Sequence, residues 1–148
     1  MSSSLRTLFA AVAVLGFVGL TGCAGMKAAG GPDKVIYHLN QGNEQASDAL
    51  RNINNHLSAQ PDAKIVVITH SKGVDFLMEG AEDMKKNPYN IPVEALVKKG
   101  VEFRVCELTL KARNLKKEQF ISDVKYVPSG VAEVAKLQYR EGFSYVKP

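Results

Sequence analysis

The residue best placed for chemistry in this sequence is Cys106, which directly follows the short run Val101–Val105. That run predicts a buried strand, and the residues after Cys106 predict a helix. In open α/β sheets, ligands and reacting groups gather at the carboxyl ends of the strands. A thiol at the start of a helix also feels the positive end of the helix dipole, which favours the thiolate. The pattern therefore predicts a thiol placed where this architecture carries its chemistry.

Polar residues also follow the other predicted strands. They are Asn40 after the first strand, His70 and Ser71 after the second, and Ser129 and Gly130 after the fourth. If the sheet is parallel, all of these loops open on the same edge as Cys106. We therefore expect these residues to help orient or solvate the thiol. Helix N-termini at the same edge bind anions well.

One stretch after the second strand resembles the nucleophile elbow of serine hydrolases, Thr69-His70-Ser71-Lys72-Gly73. Its first glycine is replaced by Thr69, which would crowd the strained turn, and a histidine must follow the serine in that fold. The three histidines are His38, His56 and His70, and none follows Ser71. The sequence therefore argues against a hydrolase triad.

The sequence does not predict a metal site, a nucleotide cofactor site or a nucleic-acid interface. No pair of His or acidic residues has tight metal-ligand spacing, so we predict no metal site. No phosphate-binding glycine motif occurs, and no cofactor is expected. The formal net charge is +4, but the lysine pairs are isolated and form no basic run. Nucleic acid is therefore not an expected partner.

The elements that must position these residues follow from hydrophobic patterning. Strands are predicted at Lys34–Leu39, Lys64–Thr69, Val101–Val105, Val124–Val127 and Phe143–Val146. Helices are predicted at Gln45–Leu57, Pro92–Lys99 and Val131–Arg140, with two more directly after His70 and after Cys106. The helix after His70 has one apolar face, formed by Val74, Leu77, Met78 and Ala81. In the last helix, four residues are predicted to face inward: Val131, Val134, Ala135 and Leu137. Strands that alternate with helices predict an α/β fold, a mainly parallel sheet of about five strands with helices on both faces.

The first residues predict export. Arg6 precedes the uncharged run Leu8–Leu20, which is too short to span a membrane but typical of a signal peptide. Leu20-Thr21-Gly22-Cys23 resembles the lipobox of bacterial lipoproteins, in which a peptidase cuts before a cysteine that then carries lipid. An ordinary signal peptide that happens to contain a cysteine is the alternative. The residues after Cys23 lack the aspartate that retains lipoproteins at the inner membrane, which implies an outer-membrane protein facing the periplasm.

These patterns divide the chain into three parts. They are a lipoprotein signal peptide at residues 1–22, a lipidated Cys23 with a flexible tether at residues 23–32, and a domain at residues 33–148. Lipid on Cys23 would leave Cys106 without an intramolecular disulfide partner in an oxidising compartment. Cys106 is then sealed in the core, bonded to another molecule or kept as a working thiol, and residue types leave all three open.

Three motifs resemble the DsrE/DsrF-like family. They are Phe103-Arg104-Val105-Cys106-Glu107 with the following Thr109-Leu110-Lys111, Val127-Pro128-Ser129-Gly130-Val131-Ala132-Glu133, and the closing Tyr145-Val146-Lys147-Pro148. His70-x-Lys72-Gly73-Val74 is also similar. The resemblance implies a three-layer α/β/α fold with a five-stranded, largely parallel sheet, often in homo-oligomers. Its well-understood members accept a persulfide on a cysteine and pass it to a partner protein, and Cys106 matches that cysteine position.

Two hypotheses follow. In the first, the protein is a tethered thiol or persulfide carrier that uses Cys106 and exchanges sulfur with a donor or acceptor protein. In the second, it is a non-catalytic module of the cell envelope that binds a small anion or a protein at the same edge, and Cys106 only packs. The resemblance leaves open whether the protein is an enzyme.

Overall fold

The computed structural model describes residues 31–148, which alternate between strands and helices as the patterning predicts. The strands are β1 (Lys34–Leu39), β2 (Lys64–Thr69), β3 (Glu102–Cys106), β4 (Val124–Val127) and β5 (Ser144–Val146). The α-helices are α1 (Asn43–Ala59), α2 (Asn90–Lys98), α3 (Glu107–Arg113) and α4 (Gly130–Glu141), and there are 3₁₀ helices at Ser71–Leu77 and Lys117–Gln119.

All five strands form one sheet in the order β4-β3-β2-β1-β5, and every neighbouring pair is parallel. The predicted α/β fold is therefore confirmed, and the sheet is wholly rather than mainly parallel. The register pairs His38 with Ile68 and Thr69 with Val105. The ends of β1, β2 and β3 consequently meet at one edge of the sheet, which we call the carboxyl edge.

The two faces of the sheet are covered unequally. The larger core contains the buried residues of α1 and α2, together with Phe76, Phe103 and the odd-numbered residues of β1. On the other face, α4 packs over a smaller cluster of Ile36, Val66, Ile68 and Leu137. Successive side chains of a strand point to opposite faces. For that reason Phe103 and Val105 enter the larger core, while Arg104 and Cys106 lie on the α4 face.

An ion pair holds α4 on the sheet. Arg104 of β3 donates to Glu133 of α4 at 2.5 Å and to Glu102 at 2.7 Å, and the side chains of Arg104 and Glu133 are mostly buried. A buried charge is tolerated when its partners satisfy it, and removal of one partner leaves the other uncompensated. The pair therefore fixes where α4 begins relative to β3.

The inward face of α4 differs from the prediction. Leu137 is buried and Val134 is partly buried as expected, but Val131 is 60% exposed and Ala135 is also exposed. Glu133 occupies a buried position instead. A charged residue is not expected to face a core, and only the tertiary contact with Arg104 explains its burial.

The segment after β2 also differs from the prediction. The expected α-helix through Ala81 is a 3₁₀ helix that ends at Leu77. After Leu77 the backbone pairs with the segment before β4. The Ile121 N–H donates to the Leu77 carbonyl, and Met78 forms an isolated antiparallel β-bridge with Phe120. These backbone bonds take the place of further helical turns.

Within residues 31–148, no helix has the length and apolar character needed to cross a membrane. The predicted signal peptide, the predicted lipidation site Cys23 and nearly all of the predicted tether lie outside the described residues.

Gly73 provides a test of how tightly the carboxyl edge is packed. A Cβ at this position would lie 2.3 Å from the Leu39 carbonyl oxygen, a backbone atom that cannot swing aside. We expect Gly73→Ala to lower the free energy of unfolding by about 3 kcal/mol. Urea denaturation followed by circular dichroism measures this. The matched control is Gly42→Ser, because nothing lies within 4 Å of a Cβ there, and serine is a favourable residue at that helix start.

Candidate functional site

Cys106 ends β3 and caps the start of α3, so it lies at the carboxyl edge as the sequence predicts. It is a free cysteine with 5% of its surface exposed. Its backbone is extended, because it belongs to the strand while its neighbours begin the helix. The thiol is therefore shielded from bulk water, and it lies at the start of α3, where the first backbone N–H groups have no partner within the helix.

Two opposing effects act on the pKa of the Cys106 thiol. Burial raises this pKa, whereas hydrogen bonding from the Gly130 backbone, from the side chain and backbone of Thr109 and from the Leu108 backbone lowers it. Together these donors bring the pKa of Cys106 below its usual value. Hydrogen bonds to the charged form favour that form, even in a buried site. The niche thus stabilises a thiolate.

Thr109 is oriented for this role by a second contact. Its Oγ1 accepts a hydrogen bond from the Ser71 N–H at 3.0 Å. A hydroxyl group has one hydrogen and two acceptor lone pairs. Since Ser71 occupies an acceptor site, the hydroxyl hydrogen of Thr109 is available to the sulfur.

Gly130 allows α4 to begin beside the thiol. A Cβ at Gly130 would lie 3.3 Å from the Cβ of Cys106 and 3.4 Å from the Cβ of His70. Such distances are tight, so a larger residue would push the helix start away from the strand ends. The same geometry shows that Cys106 and His70 flank Gly130 and are neighbours across the site.

The starts of α3 and α4 are tied to each other. The Leu108 N–H donates to the Pro128 carbonyl at 3.3 Å, and Ser129 caps α4 by accepting from the Ala132 N–H at 3.4 Å. Ser129, which the sequence suggested as a helper of the thiol, thus uses its hydroxyl oxygen to cap α4. It contributes to the site by holding Gly130 in place.

His70 lies in a row of hydrogen-bonded side chains on the α4 face. Its Nε2 is 2.7 Å from the Nε2 of His38, and its Nδ1 is 3.0 Å from the Ser71 Oγ. The Nδ1 of His38 is 2.7 Å from the hydroxyl of Tyr145. Two facing nitrogens at this distance share one proton, because a proton on each would make them repel.

The two histidines are held neutral. Burial is the main cause that lowers the pKa of His38, and the charges of His70 and Lys147 add to it. Burial and Lys147 likewise lower the pKa of His70. Neutral imidazoles can both accept and donate a proton, which is the usual role of histidine in catalysis.

Ser71 adopts a strained backbone between these two parts of the site. Its φ of 53° lies in the left-handed region, which residues other than glycine adopt rarely. Arg113 donates to the Ser71 carbonyl at 2.9 Å and to Asp75 at 2.6 Å, which holds the strained turn. Ser71, Lys72, Leu108, Thr109 and Arg113 line a groove of about 510 Å³. This volume is typical of a pocket for a small molecule.

Asn40 does not join this cluster. Its backbone N–H donates to the Gln45 side chain at 3.0 Å, and its Oδ1 is buried with no hydrogen-bond partner in the described residues. Of the expected helpers, four lie next to Cys106 or support a residue that does: His70, Ser71, Ser129 and Gly130. In residues 31–148, no hydrogen bond joins the Asn40 Oδ1 to any of them. Residues 31–148 contain no cluster of three His, Cys, Asp or Glu that could hold a metal.

Sequence reasoning missed two groups. Thr109 follows Cys106 by three residues, the spacing at which the first turn of a helix returns to its cap, and this could have been recognised. His38 and Tyr145 belong to β1 and β5, and their approach to His70 depends on the order of strands. Only the register shows that these residues share a face.

The Thr109 hydroxyl provides a test of the niche. Thr109→Val keeps the shape but removes a donor to the sulfur, so we expect the pKa of Cys106 to rise. The pH profile of Cys106 alkylation by iodoacetamide should move to higher pH, while Thr109→Ser should keep the original profile. An unchanged profile in Thr109→Val would show that the hydroxyl does not act on the thiol.

Comparison with known proteins identifies the family. A protein of unknown function, MTH1491 from Methanobacterium thermoautotrophicum, is similar in structure, with a TM-score of 0.70 and 26% identity over 78% of this chain and 99% of that one. The ychN protein from E. coli has the same fold, with a TM-score of 0.65 and 15% identity over 78% and 99% of the two chains. The search of curated proteins found no match. The family model for DsrE/DsrF-like proteins matches residues 33–148, and the chain belongs to the DsrE/DsrF-like family.

Proposed function

We propose that this protein is a sulfur carrier of the cell envelope, in which Cys106 accepts a persulfide sulfur. The observation that carries the proposal is the position of a free cysteine at the carboxyl edge, where Cys106 begins α3 and packs against the start of α4 at Gly130. Hydrogen bonding from these helix starts and from Thr109 lowers the pKa of the thiol despite its burial. An inert core cysteine would be surrounded by apolar groups, and burial would then raise its pKa. Family membership supports the same chemistry.

The proposed step is an exchange at sulfur. The Cys106 thiolate attacks the outer sulfur of a donor persulfide, R–S–SH. A new S–S bond forms at Cys106, the S–S bond of the donor breaks, and R–S⁻ leaves and takes up a proton. The products are Cys106–S–SH and R–SH, so no external oxidant or reductant is required. An acceptor thiolate removes the outer sulfur by the same step in reverse.

The burial of Cys106 suits a carrier. With 5% of the residue exposed, the loaded persulfide is protected from bulk oxidants and thiols. The groups that donate to the thiolate can also donate to the persulfide anion, because both carry negative charge on sulfur. The groove lined by Ser71, Leu108 and Thr109 is the nearest cavity from which a reaction partner could approach the sulfur.

The direction of β1 is compatible with a tether. β1 begins at Lys34, at the amino edge of the sheet, and Cys106 lies at the carboxyl edge. Six residues of strand separate the two edges by about 20 Å. A tether that precedes Lys34 therefore joins the domain at the edge opposite to Cys106, which leaves the thiol free to meet a partner.

The second candidate is a non-catalytic module that binds a small anion or a protein at the carboxyl edge. The neutral state of His38 and His70 gives it less support, because a dedicated anion site would gain from charged imidazolium groups. The homo-oligomer implied by the family resemblance remains a prediction.

Loading of Cys106 tests the proposed function. The purified full chain in mild detergent, incubated with cysteine persulfide, should gain 32 Da for one sulfur atom on the peptide that contains Cys106. Cys106→Ser should gain nothing there. If the protein with intact Cys106 never gains this mass and resists iodoacetamide until it is denatured, the thiol is inert and the binding module is the better description.

Lipid attachment tests the proposed location. In a bacterial host, the full chain should incorporate labelled palmitate and fractionate with the outer membrane, and Cys23→Ser should abolish the label. Cys106→Ser is the matched control and should remain labelled. A wild-type chain that is exported without lipid would show that residues 1–22 are an ordinary signal peptide.

A further inference from the structure

The row of side chains from Tyr145 to Ser71 forms a continuous hydrogen-bonded path. It runs from the Tyr145 hydroxyl to His38, from His38 to His70 through their Nε2 atoms, and from the Nδ1 of His70 to the Ser71 Oγ, with distances of 2.7, 2.7 and 3.0 Å. The path crosses three strands on one face of the sheet. Tyr145 is 41% exposed at its outer end, so it can exchange protons with water.

The path permits two arrangements of its protons. In one, Tyr145 donates to His38, His38 donates to His70, and His70 donates to Ser71. In the other, every bond is reversed. Each ring has one donor and one acceptor nitrogen in both arrangements, because a neutral imidazole has one N–H. A switch between them takes up one proton from the Tyr145 hydroxyl and releases one from the Ser71 hydroxyl, and only hydrogens move.

The inner end of the path lies beside the thiol. A Cβ at Gly130 would lie 3.3 Å from the Cβ of Cys106 and 3.4 Å from that of His70, so the thiol and the path flank the same residue. The Ser71 N–H also donates to Thr109 at 3.0 Å, and the Thr109 side chain is one of the groups that lower the pKa of Cys106. Ser71 also lines the groove that Leu108 and Thr109 share. A leaving group that occupies this groove would therefore be next to the Ser71 hydroxyl. The strained backbone of Ser71 is a further sign that its position matters for more than folding.

We propose that the path is a proton relay that protonates the leaving thiolate when Cys106 accepts sulfur from a small thiol persulfide bound in the groove. The inference rests on the proposed sulfur transfer. Ser71 is the residue that contacts the leaving group, and His38, His70 and Tyr145 are positioning residues that resupply its proton.

Each group in the path gives one hydrogen to the next group and receives one from the group before it. Cys106–S⁻ attacks R–S–SH, and the departing R–S⁻ takes the hydrogen of the Ser71 hydroxyl to become R–SH. The Ser71 Oγ takes the hydrogen of His70 Nδ1, the His70 Nε2 takes that of His38 Nε2, and the His38 Nδ1 takes that of the Tyr145 hydroxyl. Tyr145 is reprotonated by water.

The charged groups nearby leave the histidines free for this role. Lys147 faces both rings and opposes a second proton on the pair. On the same face, Arg104 is occupied by Glu102 and Glu133. At the inner end, Arg113 is paired with Asp75. Lys72 lines the groove next to Ser71, at the same inner end.

The test compares leaving groups of different basicity. A thiolate of low pKa leaves readily without a proton, whereas an alkyl thiolate benefits from protonation. The full chain is mixed in single-turnover experiments with cysteine persulfide or with the persulfide of thiophenol, an aromatic thiol of lower pKa. General acid catalysis typically contributes about 10²–10⁴-fold, so we expect His38→Gln to slow loading from the alkyl donor at least about tenfold. Loading from the aromatic donor should change less than about twofold.

Two further variants and a second reagent separate the relay from a structural role. Tyr145→Phe should also slow the loading of Cys106 from the alkyl donor. His56→Gln is the matched control, because His56 also contacts a tyrosine hydroxyl, that of Tyr37 at 3.1 Å, but on the opposite face of the sheet. Alkylation by iodoacetamide needs no proton for its leaving iodide, so it should proceed at the wild-type rate in all three variants.

Each other outcome overturns the relay. If His38→Gln slows both donors and iodoacetamide equally, His38 only maintains the shape or the pKa of the site. If His38→Gln and Tyr145→Phe both load at the wild-type rate from the alkyl donor, no proton passes along the path. If the wild type loads from neither donor although iodoacetamide alkylates Cys106, the sulfur carrier itself is wrong and the relay has no reaction to serve.

Discussion

The candidate site depends on the close approach of α4 to the ends of β2 and β3 at Gly130. A Cβ there would lie 3.3 Å from the Cβ of Cys106 and 3.4 Å from that of His70, so glycine lets the helix begin close to both without displacing either. The approach brings the Gly130 N–H to the sulfur. The Arg104–Glu133 ion pair, on the same strand and helix, maintains the contact. The position of one helix start thus decides the chemistry available to the thiol.

The environment of Cys106 combines two opposing effects. Burial disfavours a charged sulfur, while hydrogen bonds from two helix starts and from Thr109 favour it, and the hydrogen bonds prevail. These donors can act together because the carboxyl ends of parallel strands meet at one edge, where the following helices begin. The fold therefore lowers the pKa of a shielded thiol, and none of the causes is a charged partner. That property suits a group that must hold a reactive sulfur atom and release it only to a partner.

The row from Tyr145 to Ser71 joins distant parts of the chain. His38, His70 and Tyr145 belong to β1, the end of β2, and β5, and they meet because β5 lies beside β1 at the edge of the sheet. The row and the thiol niche share Ser71, whose strained turn is held by Thr109 and Arg113. A change at the C-terminal strand can therefore affect the thiol without any direct contact between them.

Much of this protein follows from local patterning in the sequence. The alternation of predicted strands and helices determines the α/β class. The spacing of hydrophobic residues differs between helices and strands, and a continuous β-branched run such as Lys64–Thr69 is typical of a buried strand. The position of Cys106 at a strand end follows from the same patterning. Gly130 was expected at the same edge as part of a loop, but its close packing against Cys106 and the burial of Glu133 were not predicted, because both depend on what α4 packs against. Register and strand order decide that His38, His70 and Tyr145 share a face, and these arise from contacts between residues far apart in the chain, which no local pattern records.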